Sequence, residues 1–239
     1  MNLIYLDLET TDLDETARIV QFAYKNSGTG DVVNEFFKPP VPISFGAMSV
    51  HHVTHEMVAD KPTFAGSEPK EKLTELLKNN ILVAHNAPFD MGVLKTEGVV
   101  TGRYIDTLRV CQHVLESESH KLQYLRYALG LNVEGMAHDA LGDVLVLEKL
   151  FEKLKTLTMK KFSLEKGESA IEKMLSLTKM PLLLDKFRFG KYKEKPFAEV
   201  AATDRGYLEW LHKSELQKSE IQQNNDLIKT LEYYLKISH

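Results

Sequence analysis

The segment Leu3-Ile4-Tyr5-Leu6-Asp7-Leu8-Glu9-Thr10 determines the expected fold, because a short apolar run ends in two acidic residues two positions apart. Residues 3–8 are predicted to form a buried strand. Side chains alternate along a strand, so Asp7 and Glu9 leave it on the same face, with Cα atoms about 7 Å apart. Two carboxylates in this arrangement can bind the same ions. The spacing alone is weak evidence, since other acidic pairs in the chain repeat it.

The elements that follow this strand alternate in a way that predicts an α/β fold. A meander of three strands comes first, and helices and strands then alternate, which favours a mixed sheet covered by helices. The further elements are predicted as strands at 18–24 and 32–38, a helix at 68–77, a strand at 81–84, a helix from about 88 to 96, a strand at 104–106, and helices at 108–115, 122–129 and 139–154.

The chain of 239 residues divides by pattern into three parts. We predict an α/β domain at residues 1–155, a partly helical connector at 156–180 in which apolar residues are scattered, and a small C-terminal α+β module at 181–239. The module combines a two-residue alternation at Phe187 and Phe189 with helical patterns further on. A chain of this length can bury a sizeable core.

The composition argues against several classes of protein. With 43% hydrophobic and 27% charged residues the chain is an ordinary globular protein. Its single cysteine, Cys111, excludes an intrachain disulfide and argues against a cysteine-based zinc site. The acidic residues that interrupt the first apolar run argue against a signal sequence or a membrane span. We therefore expect a cytoplasmic protein without a membrane partner; its oligomeric state stays open.

Two further carboxylates are predicted to point toward the edge of the sheet at which the first strand ends. Asp90 and Asp143 each lie in a predicted helix, three and four residues before apolar positions. Burying a carboxylate costs several kcal/mol of folding free energy unless the carboxylate is paired or binds a metal. Asp143 has no such partner nearby in the sequence, since no lysine or arginine lies between residues 127 and 148. For Asp90 alone, an acid favoured by the helix dipole is the simpler interpretation.

Four carboxylates without cysteine ligands favour hard divalent cations, so Mg²⁺ or Mn²⁺ suits the set better than zinc. Two such ions about 4 Å apart form the arrangement used for phosphodiester hydrolysis. His138 precedes the helix that carries Asp143 and could take a proton from an attacking water. A lone histidine at a helix start is more often a surface or structural residue.

Three motifs in matching order resemble those of the DEDDh exonucleases. The resemblance covers about the first 155 residues and implies a ribonuclease H-like fold, 3′-to-5′ polarity and release of nucleoside 5′-monophosphates. It also implies that the four carboxylates hold two ions of Mg²⁺ or Mn²⁺ and that the histidine of the third motif is the general base. The motifs are Asp7-Leu8-Glu9-Thr10-Thr11, His85-Asn86-Ala87-Pro88-Phe89-Asp90 and His138-Asp139-Ala140-Leu141-Gly142-Asp143.

The same resemblance suggests which residues contact the 3′-terminal nucleotide. His51 lies in a segment, residues 46–54, that resembles the family stretch lining the pocket for the terminal base; a loop histidine without function is nearly as good an interpretation. For Phe89 the alternative is packing alone. The residues selected for substrate binding are Leu8, Thr10, His51, Asn86, Phe89 and His138.

Basic and aromatic residues interleave around Gly190 in the tail. This pattern suits contacts with phosphates and bases, but a hairpin with its aromatics in a small core and its lysines in solvent explains the pattern at least as well. Residues 189–192 and 199–211 resemble the C-terminal module of the exodeoxyribonuclease X family of bacterial DNA exonucleases. That resemblance implies DNA with a 3′ end, preferably single-stranded, as the substrate. Glu194 stands where that family usually has glycine.

Three functions remain open from the sequence. The first is a 3′-to-5′ exodeoxyribonuclease that acts in DNA repair or end processing. The second is a proofreading subunit of the DNA polymerase III type or an exoribonuclease, since these groups share the three motifs. The third is a catalytically silent nucleic-acid-binding adaptor that kept the fold, although the complete set of acids and the histidine count against it.

Overall fold

The structure of the protein is a computed structural model that describes residues 1–133, 138–219 and 223–237. The chain forms two compact units, Met1–Thr178 and Lys179–His239. Among the described residues, no helix is both long and apolar enough to cross a membrane.

The first unit is built on a five-stranded mixed sheet, as predicted. Strand β1 lies at its centre, pairs antiparallel with β2 and runs parallel to β4; β2–β3 is antiparallel and β4–β5 is parallel, in the order β3-β2-β1-β4-β5. The strands are β1 Leu3–Thr10, β2 Ile19–Asn26, β3 Val32–Phe36, β4 Ile81–Ala84 and β5 Tyr104–Asp106.

Helices cover the sheet and complete the predicted α/β architecture. The sequence patterns do not predict α1 and α2, which have only seven and four residues. The helices assigned along the chain are α1 Phe45–His51, α2 His55–Val58, α3 Glu68–Leu77, α4 Ala87–Thr96, α5 Thr107–Val114, α6 Leu122–Ala128, α7 Ala140–Phe162, α8 Gly167–Lys179, α9 Phe197–Thr203, α10 Arg205–Leu216 and α11 Asn225–Leu235.

The alternation of β1 places its side chains in two different cores. Leu3 and Tyr5 pack in the cluster that includes the apolar face of α7, where the Tyr5 ring meets Phe151 edge-on at 5.6 Å between centroids. Leu6 and Leu8 pack in a second cluster with residues of α3 and α4. Since Asp7 and Glu9 continue the odd-numbered series, they leave the strand on the α7 side.

The segment predicted as a connector is largely helical. Helix α7 continues to Phe162, eight residues beyond its predicted end, and α8 begins at Gly167. Met174 and Leu177 of α8 are buried in the core of the first unit. The domain boundaries at residues 155 and 180 stay predictions. In the structure, the first compact unit extends to Thr178.

The second unit packs α9, α10 and α11 around a core of leucine, valine and phenylalanine side chains. Phe187 and Phe197 are fully buried and stack with ring centroids 3.8 Å apart. An isolated bridge between Lys186 and Pro196 closes the segment in between. Glu194 has a φ of 68° there, in the left-handed region that favours glycine, which explains why a glycine suits this position.

We expect Gly190→Ala to destabilise the second unit by about 1–2 kcal/mol, the usual cost of the left-handed conformation for a residue with a Cβ. Gly190 has a φ of 68°, and an added Cβ would lie 3.0 Å from the Tyr207 hydroxyl. Urea unfolding can be followed by the fluorescence of Trp210, the chain's single tryptophan, which lies in α10.

The matched control is Gly206→Ala within α10, where the nearest atom would lie 3.8 Å from the new Cβ. Alanine favours the helix by up to about 1 kcal/mol over glycine, so this change should leave the urea midpoint unchanged or raise it. Equal midpoints for Gly190→Ala and wild type would contradict the prediction.

Candidate active site

The ends of three elements bring predicted site residues together. Glu9 of β1, His138 before α7 and Asp143 in the first turn of α7 each offer a ligand atom, and these atoms lie within 4.8 Å of one another. Asp7 lies close enough to Asp90 and Asp143 for their charges to raise its pKa. The structure thus assembles all four predicted carboxylates and the predicted histidine at one end of β1.

The carboxylates of this cluster resist ionisation. Burial raises the pKa of Asp7 well above its ordinary value, and the charges of Asp90, Asp143 and Glu9 raise it further. Burial, with the charges of Asp143 and Asp90, raises the pKa of Glu9 to about 8. Burial also raises the pKa of Asp90 and of Asp143. The folded chain therefore favours either a proton or a bound cation among these acids.

The donor set fits a divalent cation. Its members are carboxylates and one imidazole, which are oxygen and nitrogen ligands, and the closely spaced negative charges would be neutralised by a bound ion. Cys111, the chain's one thiol, is buried in the hydrophobic core and takes no part in the cluster.

Asp90 is positioned by a turn that precedes α4. Asn86 adopts a φ of 69°, and its backbone N–H donates to Asp106 Oδ1 at 2.9 Å. The same Asp106 oxygen accepts from the Leu108 N–H at 3.0 Å and caps α5. The backbone of Leu8 in β1 forms a hydrogen bond that lowers the pKa of Asp90 and so ties the aspartate to the strand. Asp106 therefore holds the second motif against β5.

Asp143 and the start of α7 are held by side chains from two other elements. Gln123 of α6 donates to the Asp143 carboxylate. Gln21 of β2 donates from Nε2 to Asp139 Oδ1 at 2.7 Å, and its Oε1 accepts from the Ala140 N–H at 3.3 Å. Asp139 caps the helix by accepting from the Gly142 N–H at 3.1 Å.

Sequence reasoning missed the roles of four residues in these contacts. An acid just before a helix is a capping signal and could have identified Asp106 and Asp139. No sequence signal marks Gln21 and Gln123, because their partners are set by the tertiary fold.

His138 adopts a strained backbone at an exposed position. Its φ is 58°, a conformation that non-glycine residues rarely adopt, and its side chain is exposed to solvent. The imidazole lies near Asp143, and its positive charge would lower the pKa of that acid. The histidine is thus accessible from solvent and in contact range of the carboxylates.

His51 is held in a single orientation. Its Nδ1 accepts from the Val53 N–H at 3.0 Å, so Nε2 carries the proton and donates to the Thr10 carbonyl at 3.2 Å. Burial lowers the pKa of His51, which keeps the ring neutral. The structure therefore places His51 against the end of β1 with both ring nitrogens engaged.

The other residues selected for substrate binding have different settings. The side chains of Leu8 and Thr10 are buried and belong to the even-numbered series of β1, opposite the carboxylates. Asn86 is exposed. Phe89 is half-buried and lines a cavity of about 540 Å³ with the exposed Leu13. Contacts of these residues with a substrate stay predictions.

Comparison with known protein families identifies both parts of the chain. The family model described as Exonuclease matches residues 4–151, which include every residue of the carboxylate cluster. A second model, Exodeoxyribonuclease X-like C-terminal, matches residues 187–214.

Curated nucleases and polymerase subunits are similar to this chain in sequence. Exodeoxyribonuclease 10 of Escherichia coli strain K12 is 32% identical over 213 residues, which are 86% of this chain and 88% of that protein. DNA polymerase III subunit epsilon of Buchnera aphidicola is 28% identical over 169 residues, which are 62% of this chain and 70% of that protein.

Solved structures confirm the expected ribonuclease H-like fold. A structure described as exonuclease X in complex with 5′ overhanging duplex DNA has a TM-score of 0.56 and 28% identity, and the match covers 74% of this chain and 99% of that one. The E. coli ExoI–ssDNA complex, in its zinc-bound form, has a TM-score of 0.56 at 20% identity and supports the fold alone. Since the Exonuclease model covers more than half of the chain, this protein is a member of the exonuclease family of hydrolases.

Proposed function

We propose that this exonuclease is a 3′-to-5′ exodeoxyribonuclease that hydrolyses phosphodiester bonds at DNA 3′ ends and releases nucleoside 5′-monophosphates. The observation that carries the proposal is the convergence of Glu9, His138 and Asp143 within 4.8 Å in a cluster of buried acids. DNA as the substrate is supported by the E. coli exodeoxyribonuclease and by the DNA complex of exonuclease X. A cytoplasmic role in DNA repair or end processing fits this activity.

The cofactor in this proposal is a pair of Mg²⁺ or Mn²⁺ ions held by the four carboxylates. Oxygen ligands favour these ions, and the raised pKa values of the acids mean that binding a cation relieves their repulsion. Such ions supply Lewis-acid stabilisation of charge on the phosphate and activation of water. The ligands we propose are Asp7, Glu9, Asp90 and Asp143.

Two residues beside the proposed ions have separate roles in this proposal: one orients a ligand and the other accepts a proton. Gln123 holds Asp143 in its orientation by a hydrogen bond. His138 lies beside the carboxylates but is exposed, so it can accept a proton from the attacking water and release it to solvent. Its strained backbone is consistent with a position maintained for function.

The 3′-terminal nucleotide is proposed to lie against the end of β1. Because the side chains of Leu8 and Thr10 are buried, we assign their backbones to the contact. The fixed ring of His51 would offer a face to the base, and Asn86 and Phe89 of the second motif would shape the site around the 3′ end. These assignments extend the family resemblance.

Two rival functions are less well supported. A proofreading subunit shares the front motifs, and DNA polymerase III subunit epsilon is among the relatives, but the match to an exodeoxyribonuclease X-like C-terminal region favours the proposed enzyme. A silent adaptor would have no need for a complete cluster of mutually repelling acids. Digestion of matched DNA and RNA oligonucleotides separates an exodeoxyribonuclease from an exoribonuclease.

Asp7→Asn and Asp143→Asn should each lower the cleavage rate by roughly 10³-fold or more, because each change removes a charged ligand from the proposed metal site. The assay is digestion of single-stranded DNA labelled at its 5′ end, with Mg²⁺, Mn²⁺ or chelator. Wild type should give a metal-dependent ladder shortened from the 3′ end. Asp60→Asn, a change at an exposed acid, is the control and should keep the wild-type rate. Normal turnover in either site variant would refute the proposal.

His138→Ala should lower the turnover number by about 10²–10⁴-fold, the usual contribution of a general base. The pH dependence of the rate should change shape, while the increase in melting temperature caused by Mg²⁺ should persist. His55→Ala, at an exposed histidine outside residues 46–54, serves as the control. An unchanged pH–rate profile would exclude His138 as the base.

Glu9→Gln should stabilise the metal-free protein at alkaline pH. The pKa of Glu9 is about 8 in the folded chain and roughly 4 in the unfolded chain. The stability that the protonated Glu9 side chain contributes is therefore complete below the unfolded pKa and is lost as the pH rises through about 8. In chelator the variant's melting temperature should therefore exceed the wild-type value by at least about 3 °C at pH 9 and by little at pH 5.

Mg²⁺ should reverse the order of the melting temperatures of wild type and Glu9→Gln. Mg²⁺ binds the folded state and should raise the melting temperature of wild type more than that of Glu9→Gln. Glu15→Gln, the same change at an exposed position, should follow wild type throughout. A difference between Glu9→Gln and wild type that does not depend on pH would contradict the raised pKa.

A further inference from the structure

The second unit exposes a set of aromatic rings around one lysine. We call Phe189, Gly190, Lys191, Tyr207 and Trp210 the aromatic–lysine surface. The Trp210 side chain is 60% exposed and that of Phe189 is 41% exposed. A contiguous exposed apolar patch is a mark of a binding site.

Lys191, Tyr207 and Trp210 contact one another, and the turn at Gly190 connects Phe189 to them along the chain. The rings of Tyr207 and Trp210 lie 5.6 Å apart between centroids. The Lys191 ammonium lies 5.0 Å from the centroid of Tyr207, in cation–π range. Gly190 passes so close to the Tyr207 hydroxyl that a Cβ would be 3.0 Å from it. The contacts therefore preorganise the turn against α10.

The surface borders the core of the unit, because the ring centroids of Phe189 and Tyr207 lie 6.2 Å and 5.9 Å from that of the buried Phe187. Phe187 and Phe197 stack on each other and are fully buried, so the aromatic residues of this segment divide into an inner pair and an outer set. The core explanation suggested by the sequence accounts for the inner pair. The exposure of Phe189 and Trp210 requires another explanation.

The charge of the segment matches a polyanion. Residues 186–195 contain five lysines and arginines against one acid, in a chain whose formal net charge is −4. Four of these cations face acids on the protein surface: Lys186 with Glu194, Arg188 with Asp185, Lys191 with Asp204 and Lys195 with Glu199.

These ion pairs do not prevent binding of a phosphate. Exposed pairs contribute little to stability, about 0–1 kcal/mol each, so a phosphate can replace the acid. Lys193 makes no ion pair within the described residues. The acid next to Trp210, Glu209, is itself paired with Arg205 at 3.1 Å.

We propose that the aromatic–lysine surface binds single-stranded DNA, with bases stacked on Trp210 and Phe189 and phosphates bound by Lys191 and Lys193. Aromatic platforms flanked by cations are the usual means of holding a single strand without sequence preference. The inference rests on the proposed function and adds to it a second contact with the substrate, carried by the unit that lacks the carboxylate cluster.

The single tryptophan provides a direct test. Trp210 is the chain's only tryptophan, so the intrinsic indole fluorescence of the full chain reports on this surface alone. The probe is an oligothymidylate of about 16 nucleotides with a phosphorothioate at its 3′ end, titrated in chelator to prevent cleavage. A base stacked on the indole should quench its emission, with a midpoint equal to the Kd from anisotropy of a labelled oligonucleotide.

Variants separate stacking from charge. Phe189→Ala should raise the Kd about 5-fold or more, as expected for loss of one stacked base. Lys193→Ala should reduce the slope of log Kd against log salt concentration by about 0.7, as expected for loss of one phosphate contact to a single strand. Tyr233→Ala, at a ring that is 61% exposed on α11, is the matched control and should keep the wild-type Kd.

The outcomes distinguish this inference from the proposed function. A wild-type chain that digests DNA from the 3′ end without any quenching of Trp210 overturns the inference alone. Emission that changes with protein concentration rather than with DNA assigns the surface to self-association and also overturns it. A chain that neither digests nor binds DNA overturns the proposed function and the inference together.

Discussion

The repulsion among buried carboxylates at the end of β1 is the constraint on which the first unit depends. Burial and mutual charge both oppose ionisation of Asp7 and Glu9, so the surrounding fold must keep the acids together. Apolar packing on both faces of the central strand supplies the stability, and hydrogen bonds from Gln123 and Gln21 fix the third motif. The cluster persists because several elements hold it.

The fold could be predicted where a pattern is local. The strands of the first unit are short segments rich in β-branched or aromatic residues, and the meander followed by alternating elements predicts a mixed sheet. Helices α1 and α2 are too short for periodicity to reveal them. The last turns of α7 are rich in lysine and their one fully buried position is Thr158, while Leu157 and Phe162 pack only partly against the core, so the apolar stripe there is too weak to indicate where the helix ends.

The candidate site could be predicted where function needs a particular residue type. Carboxylates beside apolar positions were recognisable because an unpaired buried acid requires compensation. The tautomer of His51 depends on backbone groups of Val53 and Thr10, and Gln21 reaches a partner 118 residues away. Contacts of this kind arise only from the tertiary fold. The same is true of the tail, where alternation does not distinguish the buried Phe187 from the exposed Phe189.

The cluster of buried carboxylates also affects how the protein can evolve. Because burial and mutual repulsion raise the pKa values of these acids, we expect replacement of one by a neutral residue to strengthen the metal-free protein and, under the proposed function, to remove activity in the same step, the familiar opposition between stability and activity. Loss of function in such a chain needs no compensating substitution. A lineage freed from the need to hydrolyse DNA would therefore drift readily toward a sturdier binding protein, with its sheet and its second unit unchanged.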